Sequence, residues 1–230
     1  MKTRIQLSWR IFKRVFIFLF LLQFVYIILL KWVDPPITLT QLGSLFDGNG
    51  LKRDYVNASE ISPNIKLAVF ASEDQLFPDH SGFDFKSIQK AMDYNERKPG
   101  RVRGASTISQ QVAKNVFLWQ GRSWIRKGLE VYFTFMIEWI WGKERILETY
   151  LNVAEMGKGV FGAEAAARYH FKKSALKLSQ QEASMIAACL PNPKIYTIKP
   201  ISRPVARRYP WILRQMNNLK DDLEIAKLIR

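Results

Sequence analysis

Apolar residues are concentrated in one uninterrupted segment near the N-terminus. Val15 to Leu30 is a run of sixteen residues in which only Gln23 breaks the apolar pattern. At about 1.5 Å per helical residue the run spans roughly 24 Å, slightly less than a bilayer core of about 30 Å. Trp9 and Trp32 flank the run, as interfacial aromatic anchors do. The pattern predicts a transmembrane helix over residues 15–33.

Basic residues surround this segment, and no acidic residue precedes position 34. They are Lys2, Arg4, Arg10, Lys13, Arg14 and Lys31. A cleaved signal peptide is disfavoured because the letters KWVDPP follow Leu30 instead of a site with small residues. A buried core helix is disfavoured because five cations precede the run. We therefore predict a single-pass anchor in the inner (cytoplasmic) membrane, with residues 1–14 as a cytoplasmic basic tail and residues 34–230 on the periplasmic side.

Beyond the anchor, the polar and apolar positions mostly follow a helical period. Residues 34–62 read as a mixed juxtamembrane segment with turn signals, and residues 96–104 as a mobile loop. Thr107 and Gln110 have the spacing of a capping box, which marks a helix start. No alternating run of strand length is found, so a mainly α fold is expected. The predicted helices cover residues 65–71, 85–94, 107–117, 123–141, 143–152, 163–169, 179–189 and 203–220.

Charge and composition narrow the classes of function. The formal charge is +15, of which the first 33 residues contribute +6 and residues 34–230 contribute +9. A basic domain points to an anionic partner, such as phosphate, nucleic acid or lipid headgroups. A hydrophobic fraction of 48% excludes wholesale disorder. Cys189 is the single cysteine, which excludes an intrachain disulfide, and His80 and His170 are the only histidines.

Two segments carry candidate catalytic chemistry. Glu73 and Asp74 form an acidic turn after an apolar helix, where burial raises the pKa of a carboxylate towards that of a general base. The alternative is a solvated helix end. Residues 104–115 lead through a glycine into the N-terminus of a helix and carry hydroxyl, amide and lysine side chains that can donate hydrogen bonds. Free backbone amides and such donors at a helix N-terminus form a suitable binding site for a diphosphate. The alternative there is an ordinary capped helix.

Two further segments are less specific. Arg122, Arg126 and Glu130 lie at successive four-residue intervals on one helix face. The alternative is a surface ion-pair ladder of small energy. Residues 143–152 precede a glycine-rich turn, and a packing helix is the favoured interpretation.

Together and in this order, the four segments resemble the peptidoglycan glycosyltransferases of glycosyltransferase family 51. The family patterns E-D-x-x-F-x-x-H-x-G, G-x-S-T-I-[ST]-Q-Q-x-x-K-N, R-K-x-x-E and K-x-x-I-L-E-x-Y-L-N are met at every fixed position. The resemblance covers residues 60–195, and the anchor with a short tail is similar to the monofunctional members. Two S-x-x-K matches, at 87–90 and 174–177, lack the S-D-N and K-T-G partners of a transpeptidase.

The resemblance implies a lysozyme-like α domain over residues 63–230 with a small membrane-associated lobe. It implies polymerisation of lipid II into linear β-1,4 glycan with release of undecaprenyl diphosphate. Glu73 matches the family's catalytic base and Glu130 its second carboxylate. The predicted substrate-binding residues are Asp74, Ser106, Thr107, Gln110, Gln111, Lys114, Asn115, Arg122, Arg126 and Lys127.

Partners and cofactors follow from the same chemistry. Expected partners are lipid II, the growing lipid-linked glycan, the membrane, and other cell-wall synthases or division proteins. The basic aromatic stretch 116–141 is the expected contact with the membrane. No nucleic acid is expected outside the cytoplasm. No cofactor or metal-ligand cluster is required, although Mg²⁺ or Mn²⁺ suits a diphosphate. A glycan-cleaving lytic enzyme on the same fold and a non-catalytic membrane-anchored scaffold remain as alternatives.

Overall fold

Helices make up most of the chain in the computed structural model, which describes residues 2–98, 100, 104–121 and 123–229. In chain order the elements are α1 (Lys2–Leu29), α2 (Leu39–Phe46), β1 (Lys52–Arg53), α3 (Pro63–Glu73), α4 (Phe85–Arg97), α5 (Ile108–Phe117), α6 (Trp124–Ile140), α7 (Lys143–Val153), β2 (Glu155–Gly157), β3 (Val160–Phe161), α8 (Ala163–Phe171), α9 (Gln180–Cys189), α10 (Arg203–Leu219) and α11 (Leu223–Ile229). The expectation of a mainly α fold is confirmed.

The chain divides into two compact units, Met1–Pro35 and Pro36–Arg230. The first unit contains α1, in which Ser8–Leu29 has a mean hydropathy of 2.1 and is long and apolar enough to cross a membrane. The helix begins at Lys2 rather than at residue 15, because lysine and arginine are good helix formers. It ends at Leu29, ahead of two prolines that cannot continue it.

The core of the second unit is built around α3. Between Ile65 and Ala71 this helix is buried on every side, and it packs against α9 and α10. A second group of helices has α5 packed against α6 and α7, and the rings of Phe117 and Phe133 stack across it with centroids 4.6 Å apart. The C-terminus of α3 and the N-terminus of α5 are held together by a hydrogen bond from the Ile108 amide to the carboxylate of Asp74.

A small sheet joins the segment before α3 to the turn after α7. Its order is β1-β3-β2, with β1 parallel and β2 antiparallel to β3. The sequence pattern gave no strand here, because strands of two or three residues are too short to display a period of two. Gly159 is required at the turn: its φ is +67°, and a Cβ would lie 2.2 Å from the carbonyl oxygen of Asn49.

Among the described residues, the α-helices α2 and α11 lie outside the predicted set. α2 falls in the juxtamembrane segment and begins with a capping box between Thr38 and Gln41. α11 follows the predicted last helix and is only seven residues long. The expected loop over residues 96–104 lies partly outside the described residues, and α4 extends into it as far as Arg97.

Candidate active site

Glu73 is the last residue of α3, and its side chain is 14% exposed. Nε2 of Gln111 donates a hydrogen bond of 3.0 Å to Oε2 of Glu73, and the Ser72 hydroxyl lies 3.5 Å from Oε1. Burial raises the pKa of Glu73, while Gln111, Arg208 and Ser72 pull this pKa down and the charge of Asp74 pushes it up. A carboxylate of this kind is suited to act as a general base near neutral pH.

The amide of Gln111 is itself oriented by a residue of α7. The hydroxyl of Tyr150 lies 3.5 Å from Oε1 of Gln111, which leaves Nε2 to face Glu73. Tyr150 is fully buried, and this burial raises the pKa of its phenol well above 10, with the charges of Glu73 and Asp74 adding to the effect. The phenol therefore keeps its proton and remains a donor to the amide.

Asp74 links the end of α3 to the start of α5. Its buried carboxylate accepts hydrogen bonds from the Ile108 amide at 2.9 Å and from Nε2 of His80 at 3.1 Å. The Gly82 amide donates to Nδ1 of His80 at 3.1 Å, so the ring proton lies on Nε2. Through these contacts Asp74 holds the end of α3 against the start of α5, next to Glu73. Its contact with substrate remains a prediction.

Gly82 packs the acidic turn against α6 and the cap of α5. Its φ is +90°, and a Cβ would lie 2.8 Å from Cγ2 of Thr134. Its carbonyl accepts a hydrogen bond of 2.7 Å from the Thr107 hydroxyl. The turn therefore requires a glycine at this position, and its carbonyl ties the acidic turn to the cap of α5.

The predicted capping box at the start of α5 is confirmed. The Gln110 amide donates to the Thr107 hydroxyl at 3.2 Å, and the Thr107 amide donates to Oε1 of Gln110 at 3.0 Å. The side chains of Thr107 and Gln110 are thus engaged in holding the helix, and their contact with substrate remains a prediction. Ser106, immediately before the cap, is exposed.

The first turns of α6 carry a buried carboxylate between two cations. Glu130 is 3% exposed and lies 2.6 Å from Nη1 of Arg126 and 2.5 Å from Nζ of Lys127. The burial of Glu130 argues against the surface ion-pair ladder that the spacing left open. Arg122, the remaining predicted cation of this segment, lies outside the described residues.

Lys114 connects this cluster to Glu73. Burial lowers the pKa of Lys114; the negative charges of Glu130 and, less strongly, Glu73 raise it, and the cations of Arg126 and Lys127 lower it. Among the described residues, Lys114 forms neither a hydrogen bond nor an ion pair through its side chain. A half-buried cation with unused donors is suited to bind an anion.

A cavity of about 640 Å³ opens next to these groups. It lies between α2, α5, the end of α7 and the segment after α9, and its volume is in the range typical of ligand sites. The predicted residues Gln111, Lys114 and Asn115 line it. Its lining also includes residues that the sequence interpretation did not assign: Trp119, Gln120, Tyr150, Glu155 and Lys194.

The fourth sequence segment is mainly structural. Oε1 of Glu148 accepts a hydrogen bond of 2.9 Å from the Ala58 amide, and Oε2 lies 2.8 Å from Arg145. Asn152 accepts from the amide of Val56 and donates to its carbonyl. These contacts fasten the juxtamembrane segment to α7, and they agree with the packing role favoured from the sequence. Tyr150 is the exception, because it reaches Gln111.

The site brings Glu73, a carboxylate whose pKa is raised, within electrostatic range of the cation Lys114, an arrangement suited to a general base beside an anion. The chain belongs to the transglycosylase family, whose model matches residues 40–217. The family membership confirms the resemblance and, with it, a lysozyme-like helical domain that is an enzyme.

Individual relatives extend the match over nearly the whole chain. A biosynthetic peptidoglycan transglycosylase of Haemophilus influenzae is 49% identical over 214 residues, which are 90% of this chain and 87% of the relative. A protein of the same name from Pseudomonas aeruginosa is 48% identical over 229 residues, 96% of this chain and 98% of the relative. Another protein of this name, from Mannheimia succiniciproducens, is 58% identical over 166 residues, which are 72% of this chain and 68% of the relative.

Proposed function

We propose that this enzyme polymerises lipid II into linear glycan by the following reaction. Glu73 takes the proton from the 4-hydroxyl of the sugar on the incoming lipid II. The oxygen attacks C1 of the terminal sugar of the growing chain, the bond from C1 to the lipid diphosphate breaks, and the configuration at C1 inverts. The leaving diphosphate carries away the bonding electrons, and its charge requires neutralisation rather than a strong acid.

The observation that carries this proposal is the position of Lys114. This one side chain has electrostatic interactions with Glu130 and, less strongly, with Glu73. It therefore supplies a cation within electrostatic range of both the proposed base and the Arg126–Lys127 pair. A diphosphate bound at Lys114 would leave with its charge next to the cationic start of α6.

The cavity next to Lys114 is the proposed binding site for the saccharide part of the substrate. The exposed ring of Trp119 lines it together with the polar side chains of Asn115, Gln120 and Glu155. Aromatic faces and amide or carboxylate groups suit the apolar faces and hydroxyls of a sugar. We assign this cavity to the sugars of the growing chain, next to the diphosphate at Lys114.

An exposed apolar face on α6 supports contact with the membrane. Trp124 is 92% exposed, and Ile125, Phe135 and Trp139 are also exposed. A soluble domain seldom exposes so many large apolar side chains on one helix, and interfacial tryptophans suit the headgroup region of a bilayer. We infer that this face dips into the membrane that holds the lipid substrate. Contacts with other cell-wall synthases or division proteins remain an expectation.

We further propose that α1 is a single-pass anchor with its N-terminus in the cytoplasm, which places the catalytic domain in the periplasm. The basic residues before the apolar helix support this orientation. Protease added to spheroplasts should digest the catalytic domain. Protection of that domain until the membrane is dissolved would contradict the orientation.

A divalent cation would be held chiefly by the diphosphate itself. Among the described residues, no group of three or more His, Cys, Asp and Glu side chains is arranged to hold a metal ion. Glu130 is committed to two cations. We propose that Mg²⁺ or Mn²⁺, where present, enters with the substrate rather than from a protein cage.

The experiment that tests the proposed function is incubation of the purified full-length protein with labelled lipid II, followed by sizing of the product. We expect polymer to accumulate as lipid II is consumed. Binding of lipid II without consumption would indicate a scaffold instead. Shortening of preformed glycan, with lipid II unchanged, would indicate the lytic alternative.

A further inference from the structure

Arg208 reaches the candidate base from a helix outside all four sequence segments. It lies on α10, which packs against α3. Nη2 of Arg208 donates a hydrogen bond of 3.0 Å to the Ser72 carbonyl and lies 3.5 Å from Oε1 of Glu73. The guanidinium therefore contacts the last turn of α3 at the residue that carries the chemistry.

Arg208 uses only part of its hydrogen-bonding capacity among the described residues. Its Nε is buried and has no hydrogen-bond partner among the described residues. Leaving a buried donor unpaired costs free energy. The side chain is 33% exposed, which leaves its charge only partly screened by water from Glu73.

We propose that Arg208 is a positioning residue that holds the Glu73 carboxylate ionised and in a fixed orientation for proton abstraction. This inference rests on the proposed function, because it assumes that Glu73 is the base. Arg208 faces Oε1 and Gln111 holds Oε2, so the carboxylate is held from two helices that are distant in sequence.

The charges around Glu73 show why such a residue is needed. Asp74, at the end of its own helix, repels a second negative charge, and Tyr150 on α7 is a neutral phenol. Within the described ranges, Lys114 on α5 and Arg208 on α10 are the cations whose charge acts on it. Since burial raises the pKa of Glu73 and Arg208 lowers it, removal of the guanidinium charge raises this pKa further.

The test is the pH dependence of kcat/KM for lipid II in Arg208→Gln, Arg208→Lys and wild-type full-length protein. Glutamine keeps a donor for the Ser72 carbonyl but removes the charge. An opposite charge at this distance typically lowers a carboxyl pKa by about 1 unit or more. We therefore expect the acid limb of the Arg208→Gln profile to move up by roughly 1 pH unit, with about tenfold less activity at pH values below both pKa values and little change on the alkaline plateau.

The other variants define the controls. Arg208→Lys keeps the charge on a shorter side chain and should show a smaller shift in the same direction. Arg207→Gln, at the exposed neighbouring position, should leave the profile unchanged. Partial unfolding would lower the rate at every pH without moving the profile, so the position of the acid side separates positioning from folding.

The inference and the proposed function fail in different ways. If Glu73→Gln is inactive but the Arg208→Gln profile superimposes on that of the wild type, Arg208 has no such role and the base assignment stands. If Glu73→Gln keeps wild-type activity, the base assignment itself fails. Should Arg208→Gln give no folded protein, infrared titration of the Glu73 carboxyl in Arg208→Lys decides: an upward pKa shift supports the inference, and an unchanged pKa overturns it.

Discussion

Two glutamates, one at the end of α3 and one near the start of α6, are both nearly excluded from solvent but have opposite surroundings. Glu73 accepts one amide hydrogen bond at 3.0 Å and has its nearest cation, Arg208, at 3.5 Å. Glu130 lies between Arg126 and Lys127 at 2.6 and 2.5 Å. Among the residues that the structure describes, the first carboxylate has no ion pair shorter than 3.5 Å and can still take up a proton, whereas the second is held by two short ion pairs.

The difference assigns different tasks to the same residue type. A carboxylate whose pKa is raised by burial can take up a proton during the reaction. A carboxylate clamped by two cations fixes their geometry, and in doing so holds positive charge where a diphosphate would leave. We therefore expect loss of Glu73 to abolish chemistry and loss of Glu130 to disturb structure first.

Glu73→Gln should produce the largest effect. Removal of a general base typically lowers the rate by about 10²- to 10⁴-fold. The melting temperature should not fall, because the change removes a buried charge. Initial rates on labelled lipid II measure the first effect and thermal unfolding the second. Glu96→Gln, an exposed carboxylate on α4, is the matched control. A rate above one tenth of wild type would contradict the assignment.

Glu130→Gln should lower the stability of the fold, in contrast to Glu73→Gln. Breaking a buried ion pair typically costs about 3–5 kcal/mol, and we expect the lower end because Lys127 is 41% exposed and partly screened. Calorimetry of the full-length protein gives the melting temperature. An unchanged melting temperature, together with loss of turnover, would show that Glu130 acts on the substrate directly.

Lys114→Ala should come next. A charge-assisted hydrogen bond to phosphate is worth roughly 1.5–3 kcal/mol, which corresponds to about 10- to 150-fold in rate. Lys114→Arg should recover part of the activity because the charge is kept. Lys220→Ala, at an exposed position beyond α10, serves as the control. Normal polymerisation by Lys114→Ala would show that the diphosphate does not bind at Lys114 on α5.

Glu148→Ala should have the smallest effect on catalysis. Its loss leaves the Ala58 amide without its acceptor and should lower the free energy of unfolding by about 1–2 kcal/mol. Turnover of the folded fraction should be near that of wild type. If Glu148→Ala has a normal melting temperature but does not polymerise lipid II, the fourth segment contains catalytic residues and the proposed site is wrong.

Local signals in the sequence predicted the helices well. The cap of α5 followed from Thr107 and Gln110, because a capping box is complete within four residues. α10 was predicted to within one residue of its end. α2 was missed because it is a single short helix in a segment rich in turn signals.

The site was only partly predictable, since its contacts join distant positions. The motifs named Glu73 and Lys114, but no local pattern connects Gln111 with Tyr150 or places Arg208 beside the base. Ser72 and Arg208 are 136 positions apart in the chain. Such pairs depend on how α10 packs on α3, which periodicity does not reveal.

The pH dependence of kcat/KM for lipid II in the wild-type enzyme tests the central claim most directly, because this quantity reports the ionisation of the free enzyme. Glu73 acts as a base only when it is deprotonated, and its pKa is raised above the ordinary value of 4.5. We predict that activity falls as the pH is lowered through a pKa above 4.5, and that this dependence is absent from the residual activity of Glu73→Gln. The same acid-side pKa in Glu73→Gln, or a wild-type pKa at or below 4.5, would contradict the account.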